Sequence, residues 1–174
     1  MLETLYIKNY ALIPEITIDF GKGLNILTGE TGAGKSILID ALSMILGERA
    51  DSDTVRKGSE KAIVEASFQP GVNEKLSALL RQHDIESSDT LIIRREISSK
   101  GQSRCFINDS PSTIGLLKQV GDLLVDLHGQ HEHQSLLRAE THIEMLDDYC
   151  GVHSLLAEYQ ERHTYGNALL REME

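Results

Sequence analysis

Apolar and polar residues alternate along "TLYIKNY" and "PEITIDF", residues 4–10 and 14–20, as they do in strands that bury one face. Ile16, Ile18 and Phe20 share one face of the second segment, and the two read as a pair. "GLNILTG", residues 23–29, follows as a short apolar strand, and then the period changes. Ile37, Leu38, Ala41, Leu42, Ile45 and Leu46 recur at helical spacing in "KSILIDALSMILG", and Gly47 supplies a C-terminal stop. "KAIVEASF" (61–68) and "TLIIRREIS" (90–98) read as further strands, separated by a helix around "NEKLSALLRQH" (73–83). "SKGQ" turns the chain back into "SRCFIND" (103–109), and after Pro111 a helix near "TIGLLKQVG" (113–121) leads to the apolar run "LLVDL" (123–127). Strands interleaved with helices predict an α/β fold with a mixed sheet.

Between the third strand and the first helix stands "GETGAGKS", residues 29–36, which satisfies the phosphate-loop spacing G-x-x-x-x-G-K-[ST] with Gly29, Gly34, Lys35 and Ser36. A triphosphate carries several negative charges that no apolar pocket could hold. A loop whose glycines let backbone N–H groups converge, set at the positive end of a helix dipole, can hold them. The segment Gly29, Glu30, Thr31, Gly32, Ala33, Gly34, Lys35, Ser36 and Ile37 is therefore the expected ATP-binding stretch, with Lys35 bridging the outer phosphates. Ser36 would offer its hydroxyl to Mg²⁺, a hard cation that prefers oxygen ligands.

Composition changes this picture in two ways. At 174 residues and 40% hydrophobic, the chain has the length of one compact domain with a core. Its two cysteines, Cys105 and Cys150, form no metal or redox spacing and read as buried thiols of a reducing compartment. No basic region followed by an apolar block opens the chain, and no apolar run has membrane-spanning length, so a soluble cytoplasmic protein with no membrane partner is expected.

The formal charge of -10 counts against nucleic acid, but its distribution matters more. Residues 139–174 hold eight acidic and two basic residues and so carry most of it. Against that background "RREISSKGQSR", residues 94–104, gathers Arg94, Arg95, Lys100 and Arg104 around a single Glu96. It reads either as a solvated hairpin surface or as a DNA phosphate contact, with strand alternation sending Arg94 and Arg95 to opposite faces.

The phosphate loop alone does not identify the machine around it. A complete small kinase or NTPase would also need an acidic residue at the end of an apolar strand to hold the metal's water shell, and Asp126 in "LLVD" is the candidate. Leu127 and His128 follow, where an ABC-type site would carry its catalytic glutamate. A third reading is a DNA- or partner-binding module whose nucleotide site is only structural.

"LLVDLHGQHEHQSLL", together with "LYIKNYALI", "LTGETGAGKSILIDALSMILGERAD" and "GQSRCFIND", makes most of residues 1–150 resemble the N-terminal head lobe of the SMC-like ABC ATPases of bacterial DNA repair. The resemblance implies a P-loop NTPase head built from two lobes joined through a long antiparallel coiled coil. It implies ATP sandwiched between the phosphate loop of one head and the signature loop of a second, in a nucleoid-associated protein that repairs double-strand breaks. Its implied partners are DNA, the C-terminal lobe of the same protein, a second identical head, and a recombinase.

By the same resemblance Gln130, with Gln134 as the alternative register, takes the place of the glutamine that touches Mg²⁺ and senses the γ-phosphate, so Lys35 and Gln130 are the expected catalytic residues. Arg49, with Arg56 competing for the register, resembles an arginine near phosphate or DNA in such heads. His128, His131 and His133 read as polar loop groups rather than a zinc cluster, since both cysteines lie far away in sequence. The chain carries no LSGG-like loop and no apolar-run-plus-Asp-Glu motif, so ATPase activity is expected of the full-length protein and little or none of this half-site.

From Val152 onward Leu155, Tyr159, Leu169, Leu170 and Met173 recur at helical spacing on an acidic helix with no stop signal. Residues 151–174 thus resemble the root of a coiled-coil arm following the lobe at 1–150, although Gly166 weakens a strict heptad.

Overall fold

The computed structural model describes residues 1–29, 34–86, 88–127 and 142–172. They fall into two compact units, Met1–Val125 and Asp126–Glu174. The first is built on a six-stranded sheet of β1 (Leu2–Tyr10), β2 (Ile13–Asp19), β3 (Lys61–Phe68), β4 (Leu91–Ser98), β5 (Ser103–Ile107) and β6 (Ser110–Ser112). The strand order is β2-β1-β3-β4-β5-β6.

Three helices complete the unit: α1 (Lys35–Ile45), α2 (Glu74–Gln82) and α3 (Ile114–Leu124). α1 packs on β1, β3 and β4, and α3 on β5 and α2. Alternation along the strands determines which face they cover. Leu5 and Ile7, then Ala62, Val64, Ala66 and Phe68, then Leu91, Ile93 and Ile97 are all buried. Ala41, Met44 and Ile45 of α1 and Leu117 and Val120 of α3 are buried as well. The opposite face is half-exposed and laced with cross-strand ion pairs, among them Lys8–Glu15 at 3.2 Å and Lys61–Glu96 at 3.1 Å.

Local chemistry explains the element boundaries. Asn73 caps α2 by accepting from the Leu76 N–H at 3.0 Å, and Thr113 caps α3 by accepting from the Leu116 N–H at 3.2 Å. β6 was not expected from the sequence, yet its signal is present. Ile107 pairs with Ser110 across Asn108 and Asp109, whose φ values of 46° and 62° suit a two-residue hairpin turn.

All five strand pairings among the described residues are antiparallel. Three expectations require correction. The strand expected at residues 23–29 is not in the sheet. Leu24 is 87% exposed and Ile26 73%. Asn25 instead turns its side chain onto the local backbone, accepting from the Gly21 N–H at 3.0 Å and donating to the Gly21 carbonyl at 2.9 Å. "LLVD" is not a strand either, because α3 continues through Leu123 and Leu124 and leaves Asp126 exposed beyond it. Finally, Cys105 is buried as expected, but Cys150 is exposed.

The second unit contains α4 (His142–Cys150) and α5 (His153–Glu172), separated by Gly151 at φ 64°. Along α5, Leu155, Tyr159, Tyr165 and Leu170 are exposed. Arg162 donates to Glu158 at 2.5 Å, and the rings of Tyr159 and His163 stack at 5.7 Å. Among the described residues no helix is long and apolar enough to cross a membrane.

Candidate nucleotide site

The phosphate-loop helix α1 begins differently from its neighbours. Its N-cap is Gly34, with no side chain hydrogen-bonded to the first turn. Helix geometry leaves the first N–H groups without an intrahelical acceptor, and in α2 and α3 an asparagine or threonine satisfies one of them. In α1 they are left for another acceptor, at the positive end of the helix dipole.

Lys35 and Ser36 are exposed in that first turn, and Ile37 is half-buried behind them. The Lys35 ammonium donates to the carbonyl oxygen of Gly29, six residues earlier in the chain. An uncapped helix start with an exposed ammonium and an exposed hydroxyl in its first turn fits a phosphate group with its Mg²⁺. Glu30, Thr31, Gly32 and Ala33 lie outside the described residues, as do Gln130, Gln134, His128, His131 and His133.

The other end of α1 is held by Arg95. This residue was read with its neighbours as either solvated hairpin surface or a DNA phosphate contact, and it is neither, being 1% exposed. In the register Ile7–Val64–Arg95–Cys105 it stands among inward-facing residues, and its guanidinium meets the end of α1. Nη1 donates to the carbonyls of Met44 at 2.6 Å and Glu48 at 2.5 Å, and Nε to the Ser103 hydroxyl at 3.0 Å. Burial holds its pKa below the ordinary arginine value, while the neighbouring Cys105 and Tyr10 favour the charged form. Burial also pushes the Cys105 thiol up.

Arg94, on the open face, lies over the Phe106 ring at 4.6 Å and within 3.9 Å of both Glu65 and Glu96 and 3.5 Å of Asp109. It is thus neutralised locally. Lys100 and Arg104 remain exposed, on the β4–β5 turn and the start of β5. The Ser99 N–H donates to Glu60 at 2.9 Å, and the Arg56 N–H to Asn9 at 2.9 Å. These bonds bring Arg56, Lys57, Lys100 and Arg104 to one end of the sheet, and all four side chains are exposed. Arg49 is exposed after α1.

Sequence reading missed the junction of α1 and α3. Gly47, at φ 101°, has the Lys118 backbone 2.7 Å from where a Cβ would stand. A Cβ on Gly121 would meet the Leu46 carbonyl at 2.8 Å. The available signal was a glycine on the apolar side of a helix, which marks a close approach.

The AAA domain family matches residues 4–155. The chain is 43% identical over 176 residues to the DNA repair protein RecN of Bacillus subtilis, and 42% over 167 residues to that of Vibrio cholerae. These alignments take in 99% and 96% of the chain but 31% and 30% of the relatives, so the chain spans about a third of their length. Among solved structures, an Smc head domain with coiled coil and joint from Pyrococcus yayanosii superposes with a TM-score of 0.65 at 20% identity, over 98% of this chain and 35% of that one. An Smc head domain from Pyrococcus furiosus with an extended coiled coil, bound to the C-terminal domain of ScpA, gives 0.56 at 25% identity over 70% and 32%. The chain belongs to the AAA domain family, and it is a RecN-like sequence carrying the fold of an Smc-type head lobe.

Proposed function

We propose that the chain is the ATP-binding lobe of a RecN-like ATPase that repairs DNA double-strand breaks. The observation that carries this reading is the uncapped start of α1 with Lys35 and Ser36 exposed in its first turn, within a chain 43% identical to RecN of Bacillus subtilis. In this reading the backbone of residues 29–37 and Lys35 hold the phosphates, and the Ser36 hydroxyl and the Gln130 amide oxygen hold Mg²⁺. The metal would supply charge neutralisation at the phosphates.

The lobe lacks a water-activating glutamate and a signature loop. Turnover therefore requires a C-terminal lobe and the signature loop of a second head, and ATP closes the head dimer. Residues 151–174 form the root of the arm, and the basic sheet end with Arg49 faces DNA phosphate. The whole protein works in the cytoplasm, associated with the nucleoid and serving a recombinase. The small-kinase alternative loses support, because Asp126 follows a helix and not a strand.

Titration of the chain with Mg²⁺-ATP tests the reading. Saturable binding that disappears in Lys35→Ala, with turnover far below an ordinary enzyme rate of about 1 s⁻¹, is expected. Binding indifferent to Lys35, or turnover at that rate, overturns it.

A further inference from the structure

Arg95 is a buried cation, and among the described residues no carboxylate lies in ion-pair range of it. Its partners are neutral oxygens: two carbonyls at the end of α1 and one hydroxyl on β5. As a device for stability alone this is a poor choice, since taking a charge out of water is costly and an apolar side chain of similar volume would fill the space without that cost. What a guanidinium provides instead is direction. Its planar donors fix the Met44 carbonyl within the helix, the Glu48 carbonyl beyond the Gly47 turn, and Ser103 on the next strand.

β4 is flanked by β3 and β5, so Arg95 projects from a strand held on both sides. Its charge also lies where the negative end of the α1 dipole falls. The phosphate-binding end of this eleven-residue helix is about 16 Å away at 1.5 Å per residue, too far for contact.

We propose that Arg95 is a positioning residue for phosphate binding: from the centre of the sheet it fixes the C-terminal end of α1, and so the direction in which the helix presents its first-turn N–H groups, Lys35 and Ser36. The proposal rests on the reading of this loop as an ATP site. Helix-end bonding by an arginine is general physics; its consequence here is that a residue with no access to nucleotide controls affinity for it. The Lys118–Glu48 ion pair at 3.4 Å and the Gly47–Lys118 contact tie the same end to α3, so a helix freed from Arg95 would pivot there instead of detaching.

The experiment measures Mg²⁺-ATP affinity and thermal midpoint for the parent chain, Lys35→Ala, Arg95→Met, Arg95→Lys, and Ile107→Ala. Ile107 is buried on β5, the strand on which α3 packs, so its truncation serves as a control for stability loss. The parent is expected to bind and Lys35→Ala not to. Arg95→Met should weaken binding about tenfold or more, the equivalent of one or two lost charge-assisted hydrogen bonds, with Arg95→Lys in between. Ile107→Ala should lower the midpoint at least as far while leaving affinity within about twofold, as expected of a site it does not touch.

Affinity of Arg95→Met within that margin of the parent overturns the proposal, as does an Ile107→Ala chain that loses as much affinity as Arg95→Met. Should Arg95→Met fail to fold, Ser103→Ala removes the Nε bond and leaves both carbonyl bonds of Arg95 in place. A loss of about threefold in the folded variant supports the proposal, and unchanged affinity overturns it. If the parent does not bind, or Lys35→Ala binds equally well, the ATP reading itself has failed, an outcome distinct from a parent that binds and an Arg95 variant that matches it.

Discussion

Gly121 of α3 lies so close to Leu46 at the end of α1 that a Cβ on the glycine would come within 2.8 Å of the Leu46 carbonyl oxygen and 3.0 Å of its Cβ. Backbone occupies that space, and it cannot rotate away as a long side chain would. Gly121→Ala should therefore destabilise the chain despite the better helix propensity of alanine, which offsets about 1 kcal/mol. Overpacking of this kind costs about 1–3 kcal/mol, so the net loss is expected near the lower half of that range. Urea unfolding of parent and variant measures it, and a variant as stable as the parent would mean that α1 and α3 can separate freely. Gly47→Ala should cost more, because a φ of 101° adds backbone strain to a 2.7 Å approach to Lys118.

Tyr10 gives a prediction in pH. Its phenol is buried, and burial, with Asp40 contributing, pushes its pKa up to about 12 from an ordinary 10.0, while Arg95 acts the other way. Between those values the unfolded chain has released the proton and the folded chain retains it, so the unfolded state binds fewer protons and stability falls as pH rises. Two units correspond to about 3 kcal/mol at most, lost between about pH 10 and 12 and wholly retained below. Tyr10→Phe has no proton to lose, so the difference in stability between the two proteins should grow across that window. A constant difference would place the Tyr10 hydroxyl in water.

Much of this fold was legible because alternation in β3 and β4 is strict: each inward residue from Ala62 to Phe68 and from Leu91 to Ile97 is buried, Arg95 included. The period reported orientation correctly even where residue type argued against it. Alternation set Arg95 on the opposite face from Arg94, but two of the partners that tolerate its burial are backbone carbonyls, which carry no sequence signal. Residues 23–29 show the opposite failure. "GLNILTG" is apolar enough for a parallel core strand, but such a strand needs neighbours on both sides, and pairing is not a local property. The loop was read from its spacing between an expected strand and an expected helix, and of those two the helix formed as α1, with an uncapped start.

Lys35 and Asp126 separate the two nucleotide-site readings. Lys35→Ala removes an exposed side chain whose partner is the Gly29 carbonyl, so its thermal midpoint should stay close to the parent while ATP binding is lost. Asp126→Asn should leave Mg²⁺-ATP affinity within about twofold, since Asp126 is an exposed residue that follows a helix and not the strand a metal-holding carboxylate would end, and exposed substitutions typically shift energies by less than about 0.5 kcal/mol. Isothermal titration of both variants decides the matter: loss of Mg²⁺-dependent binding in Asp126→Asn would restore the small-NTPase reading.

DNA contact is the prediction the open sheet face sharpens most. Of the four basic residues in 94–104, Arg95 is inside and Arg94 is surrounded by Glu65, Glu96, Asp109 and the Phe106 ring, which leaves Lys100 and Arg104. Arg104 pairs in register with Glu96, but Lys61 already holds that carboxylate at 3.1 Å. Arg56 and Lys57 stand exposed at the same end of the sheet, so the positive field there has four contributors. Phosphate contacts alone give weak binding without sequence preference, each adding about 0.9 to the salt slope of log affinity. Lys100→Glu combined with Arg104→Glu should therefore lower affinity for duplex DNA of any sequence and flatten that slope by about 1.8, with ATP affinity unchanged. Arg94→Ala should alter neither affinity nor slope. Fluorescence anisotropy across a salt series supplies both quantities, and a double variant matching the parent in both would remove this end of the sheet from the DNA surface.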